Sequence, residues 1–224
     1  MKSQRFDFSG FTRVRIERAL SVDILRTDAW SVTIGDDCTR IRMEVIGDTL
    51  CIERRGMDWF HNRPHVVVTM PVLRELTLGG ASQAKAIGFQ SNENFTLKLN
   101  GASQMEISSM TAGNLKADVS GASNLAGDIS YSGEALIKVS GASRVVLQGM
   151  GNMGRLDFSG ASQARLGNLS LRNVDLKLSG ASSAQLKVSD RMDFDLSGAS
   201  RMEYTGNAVI GRMQISGASV INHR

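Results

Sequence analysis

The sequence is short of most residues that mark a disulfide-stapled, membrane-embedded or catalytic protein. Cys38 and Cys51 are its only cysteines, too few for the dense framework of a small secreted fold. They read as free thiols, and a bridge across the 38–51 loop would require an exported protein. Proline is scarce (2) and aromatics make up only 5% of the chain. Any core must therefore be filled by Leu, Ile, Val, Met and Ala. No apolar run is long enough to cross a bilayer as a helix. The opening MKSQRFDFSGFTRVRIERAL holds no apolar h-region and no cleavage pattern. As written, the chain reads as cytoplasmic, and as a cell-envelope or extracellular protein if a leader was removed.

A concentrated charge of one sign is missing too. The formal net charge is +4, but through residue 75 there are 12 Lys/Arg against 11 Asp/Glu, interleaved along the chain. Nucleic-acid binding needs basic groups gathered on one face, so no nucleic-acid partner is expected.

What the chain has in abundance is glycine, 23 residues of it, and much of that glycine recurs in one tripeptide. Gly-Ala-Ser begins at Gly80, Gly101, Gly121, Gly141, Gly160, Gly180, Gly198 and Gly217, at spacings of 21, 20, 20, 19, 20, 18 and 19. Two residues before each glycine stand Leu78, Leu99, Val119, Val139, Phe158, Leu178, Leu196 and Ile215. Four before and four after are apolar throughout, and the positions between are mostly polar. This period-two alternation predicts a half-buried strand on each side of every tripeptide. A unit this small cannot bury its apolar face alone, so it must stack on its neighbours. Glycine serves a corner where φ is positive or a side chain would clash. The serines flanking each Gly-Ala are structural, bonding along the stack or to corner backbone groups.

Three residues before the glycines the chain reads Lys98, Asp118, Lys138, Asp157, Lys177, Asp195. Alternating sign is what in-register stacking requires, because like charges directly opposite repel. Residues 76–224 are thus regular Gly-Ala-Ser coils, and residues 1–75 a degenerate version of them. There, Ser9-Gly10-Phe11-Thr12-Arg13-Val14 aligns with Ser197-Gly198-Ala199-Ser200-Arg201-Met202. Alternating segments follow at 21–25, 31–34, 41–45, 49–53 and 66–70. No linker separates the halves, so 1–224 reads as one domain. The fold class is all-β: a right-handed parallel β-helix, or solenoid, with coils of about 20 residues, since parallel crossovers are overwhelmingly right-handed. Leucine-rich repeats need an LxxLxL core, and left-handed hexapeptide helices keep a strict six-residue beat. Neither pattern is present.

The recurring (Ser/Asn)-Gly-Ala-Ser, the opening FSGFTRVRIERALSVDIL, the later TLCIERR and the run VVVTMPVLRELTLGGAS together resemble one bacterial family, the putative auto-transporter adhesin, head GIN domain. The resemblance spans essentially the whole chain. It implies a right-handed parallel β-helix, often in exported or envelope proteins, and brings no catalytic residues with it.

Three features invite a functional reading. Asp118, Asp157 and Asp195 lie two coils apart, about 9.6 Å from one another. That is near the roughly 6.5–9.5 Å carboxylate separation of inverting glycosidases, and makes a carbohydrate-active enzyme on acidic polysaccharide the alternative reading. A lysine stands between each pair, however, and no second acid cluster or histidine accompanies them, so they read as a structural column. The irregular stretch 54–65 carries Trp59, Phe60, His61 and Arg63. Its bland role is to cover the coil. Its functional role is contact with a glycan or a protein, as aromatics with arginine are enriched at interfaces. Asp58, His61 and His65 lack the further firm ligand that a metal site needs. Finally, ISGASVINHR places Ile215 and Ile221 in core columns without the polar cap that solenoid ends need, so another chain is expected to cover it. The reading is a non-catalytic, adhesion-like binding module that self-associates, with no catalytic, cofactor or metal site and no membrane span.

Overall fold

The computed structural model describes residues 4–35, 40–56 and 64–224. Among these it is all strand and turn, stacked as a parallel β-solenoid. The strand before each corner pairs in parallel with its counterpart one rung on: Glu75–Leu78 with Phe95–Leu99, then Leu115–Val119, then the second half of Asn124–Val139. The strand after each corner does the same, from Gln83–Ile87 through Gln104–Ala112 to the first half of Asn124–Val139. Further along, single strands such as Arg144–Phe158 and Gln163–Leu178 run through both faces with bulges between. Alternate residues point inward, and Leu76, Leu97, Ala117, Ile137 and Leu176 are all fully buried.

The corners explain the repeat. The eight Gly-Ala-Ser glycines hold φ between +59° and +79°, a left-handed conformation that a side chain disfavours. A Cβ at Gly180 would also lie 2.6 Å from the carbonyl oxygen of Gly160. That closeness is needed, because the amide of Ala181 donates to the same carbonyl at 2.8 Å. The serine after alanine turns inward: Ser103 and Ser200 are at most 1% exposed. Each donates its hydroxyl at 2.7 Å to the carbonyl three residues back, that of Asn100 or Ser197. The other serine column bonds between rungs, as Ser120 does to the carbonyl of Leu99.

The first coil departs from the expectation in register and in order. Arg13–Glu17 pairs with Glu75–Leu78, and Ser21–Arg26 with Gln83–Ile87. The corner equivalent to Gly80-Ala81 is therefore Arg18-Ala19, with φ of 65° and 59°, and not Gly10-Phe11. Gly10 makes a separate left-handed turn, and Phe11 is wholly buried. Nor do the coils stack in chain order. Thr49–Arg54 and His65–Met70 pair with the far sides of Arg13–Glu17 and Ser21–Arg26, so the later segment lies outermost. Beyond it Ile41–Ile46, Ser31–Ile34 and Gln4–Phe6 pair antiparallel. Strands expected to be degenerate parallel coils thus form an antiparallel cover over that end.

Among the described residues, one buried aromatic carries a polar group into the core. Tyr131 is 5% exposed, and its ring lies where Gly151 of the next rung has no side chain. Its hydroxyl is buried without a hydrogen-bond partner among the described residues, and burial pushes its pKa up from the ordinary value of about 10.

Two predictions follow from these positions. Gly180→Ala is expected to cost at least about 1–3 kcal/mol from backbone strain alone, seen as a lower urea midpoint. Tyr131→Phe is expected to keep or raise stability, because it removes an unpaired buried hydroxyl. The raised pKa of Tyr131 means that the native protein loses stability as pH climbs past about 10, where the unfolded phenol ionises first. The phenylalanine variant should show a shallower alkaline decline in the same denaturation series.

Candidate functional site

The alternating charges do fall on one line. Lys98 is the register partner of Asp118, Asp118 of Lys138, Lys138 of Asp157, Asp157 of Lys177, and Lys177 of Asp195. Gln214 follows Asp195 as an uncharged end to the series. The side chains are not closed into a chain of ion pairs, however. Lys98 instead meets Glu75 at 2.7 Å, and Asp118 lies 3.9 Å from Lys116 on its own strand. Asp118, Lys138 and Asp157 border a shallow depression of about 270 Å³, with the lysine between the two carboxylates.

Trp59, Phe60, His61 and Arg63, proposed from the sequence as a contact surface, lie outside the described residues, as do Asp58 and Cys38. Of the nearby groups, His65 places its Nε2 3.4 Å from Asp23. Among the described residues no three His, Cys, Asp or Glu side chains gather as a ligand set for a metal. Cys51 is half-buried, and desolvation pushes its thiol pKa up, which disfavours the reactive thiolate. No described helix is long and apolar enough to cross a membrane.

The rung built from Val209–Ile215 and Val220–His223 is the most unusual surface. Its strands pair on one side only, with Ser183–Leu196 and Arg201–Thr205. The core columns emerge here into solvent: Met213 is 60% exposed and Ile215 48%. Apolar side chains also occupy outward positions, which periodicity reasoning did not single out. Val209 follows Arg191 in register and Val220 follows Arg201, and they are 68% and 44% exposed. For Val220 the signal was present in the repeat, as a valine beneath a column of polar residues.

Two broader depressions run along the outer faces, and the sequence pattern pointed to neither. One, of about 870 Å³, crosses the strands between Glu106 and Gln185. The other, of about 670 Å³, lies over Gly151 and Leu171 between exposed Met150, Arg172 and Lys187. Arg172 is held by Asp190 at 3.0 Å.

Rungs of about 20 residues, left-handed glycine corners and one antiparallel end define a Gly-Ala-Ser β-solenoid. More particularly, the chain belongs to the family described as "Putative auto-transporter adhesin, head GIN domain", which matches residues 10–208. Solved structures share the fold over its whole length. A "putative adhesin" from Parabacteroides distasonis superposes with a TM-score of 0.84 at 16% identity, covering 100% of this chain and 96% of that one. A "putative lipid binding protein" from the same species gives 0.81 at 15%, with the same coverage. A "putative adhesin" from Bacteroides fragilis gives 0.71 at 15%, again covering 100% and 96%. At these identities the likeness is one of fold. No curated protein matches the chain.

If the charge column helps to hold register, Asp157→Lys will set three lysines side by side at Lys138, position 157 and Lys177. Its melting temperature is expected to fall at low salt and to recover toward wild type at high salt, where surface charge is screened.

Proposed function

We propose that this chain is a non-catalytic binding module of the adhesin kind and that it associates with a second copy of itself through the Val209–Ile215 and Val220–His223 rung. The observation that carries the reading is the exposure of Met213 and Ile215 together with Val209 and Val220. Several exposed apolar side chains on one rung mark an interaction surface. Such an edge also carries unpaired backbone donors and acceptors, which invite strand pairing. The second copy is favoured over a charged partner because Gln214 ends the alternating column. A lysine or aspartate there would bring like charges together in a two-fold contact. The opposite end of the solenoid is covered by antiparallel strands, which favours a closed pair over a filament.

Non-catalysis is supported by the chemistry of the aspartate column, where Lys138 and Lys177 separate the carboxylates. An acid–base pair needs two carboxyl groups in different environments around one space. Trp59, Phe60, His61 and Arg63 remain part of this reading as a second contact surface, and residues 1–224 are taken as one unit.

The test is mass in solution across a concentration series, by light scattering or sedimentation. Wild type is expected to move from monomer to dimer. The double variant Met213→Asp/Val220→Asp is expected to stay monomeric with an unchanged fold, since both side chains are already exposed. A wild-type monomer at every concentration, or a variant that keeps the dimer mass, would overturn the self-association.

A further inference from the structure

From the groove between Glu106 and Gln185 we infer a binding site for a neutral polysaccharide, laid along the solenoid axis across successive rungs. The inference rests on reading the chain as a binding module, and it gives that module a ligand class and a place to hold it.

The groove is built from two columns. In one, Asp128, Gln148 and Asn168 are register partners on three consecutive rungs, and all three are exposed. Adjacent rungs stand about 4.8 Å apart, so these groups form a regular series along the axis. In the other, which lies two residues earlier at Ala126 and Val146 and three earlier at Arg165, the residues Glu106, Ala126, Val146, Arg165 and Gln185 succeed one another in register. Ala126 and Val146 supply a small apolar floor between polar ends, and Val146 is 38% exposed.

Glycine and bulges make the surface concave. Gly127 is pressed so closely onto Ile107 that a Cβ would lie 2.6 Å from that residue's own Cβ. Gly149 takes φ of 125° above Ile129. Register shifts fall along the same line, between Ile107 and Met110, Val146 and Gln148, and Leu166 and Ser170. Bulges re-aim side chains and recur beside binding sites.

The two amides in the groove are open to a ligand. Some stacked polar side chains on this surface satisfy one another: Gln83 donates to Gln104 at 3.0 Å, Asn114 to Asn94 at 2.9 Å, and Arg144 to Gln163 at 3.1 Å. Gln148 and Asn168 are stacked in the same way, yet among the described residues neither has a partner, and neither have Asp128 and Arg165. All four are exposed and line the groove. The charge is balanced: Asp128 against Arg165, with Glu106 already paired to Lys85 at 3.0 Å.

A ligand for such a site repeats its hydrogen-bonding groups at close to the rung spacing, carries no net charge, and presents small apolar faces between them. A neutral glycan chain does this, with paired hydroxyls for the amides and the carboxylate, and C–H faces for Ala126 and Val146. An extended peptide fits less well, because the strands lining the groove are paired on both sides and offer no edge for a further strand. An acidic polysaccharide would meet only one free cation, Arg165.

The experiment measures binding of the intact chain to soluble neutral glucans, mannans and galactans by calorimetry, with polygalacturonate and an unstructured peptide as comparators. At least one neutral polymer is expected to bind. The double variant Gln148→Ala/Asn168→Ala is expected to weaken it about tenfold or more, the cost of two lost hydrogen bonds, while leaving the melting temperature unchanged. Asp128→Asn should weaken it less, since an amide still bonds a hydroxyl. Binding only to polygalacturonate or to the peptide, no binding to any neutral polymer, or full binding by the double variant would each overturn the site. Adhesion of the double variant to whole cells at the wild-type level would reject this groove while leaving the adhesin reading in place.

Discussion

The regular stack depends on a hydrogen bond at the corner of every rung from Ala122 onward. The amide of the repeat alanine reaches the carbonyl of the glycine one rung below, at 2.8 Å for Ala122, Ala142, Ala181, Ala199 and Ala218. The bond holds only if two backbones approach where a side chain would otherwise intrude, and only if the residue before the alanine adopts a left-handed φ. Glycine alone meets both demands without strain. Once the corner is set, the parallel register of both flanking strands follows. With the register, the apolar columns align inside, and polar residues align outside in lines parallel to the axis. The surface is therefore a lattice, with rows fixed by the rungs and columns fixed by position in the repeat.

That lattice explains which parts of the structure could be read from the chain alone. The tripeptide, the apolar columns and the alternating charges of Lys98 to Asp195 are all periodic signals, and periodic signals are what stacking produces. The Val209–Ile215 rung was legible in part for the same reason, since Ile215 and Ile221 sit in columns that are buried everywhere else. The first coil was misaligned because its corner, Arg18-Ala19, uses two non-glycine residues at positive φ. Ala19 beneath Ala81 was the available clue, but a glycine at Gly10 offered a stronger and misleading match. The reversed stacking of 13–26 and 49–70 leaves no mark in local pattern, because strands in either order alternate identically. Only contacts between distant segments decide that order.

The outer grooves were illegible for a different reason. They arise where the repeat is imperfect, at Gly127, Gly149 and the bulges beside Val146 and Leu166. Averaging over copies, which is how the repeat is found, discards these deviations. In a solenoid the conserved geometry supplies stability and the irregularities supply individuality. Unpaired amides at Gln148 and Asn168, beside those bulges, belong to the second category. So does Val220, apolar at the end of an otherwise polar column.

The most direct test of the stacked-corner account is amide hydrogen exchange at Ala122, Ala142, Ala161, Ala181 and Ala199. These alanines are exposed at turns, where an ordinary loop amide exchanges rapidly. The account predicts protection as strong as that of the central strands, lost only in global unfolding. Exchange at the rate of a free turn, with the strands still protected, would contradict it.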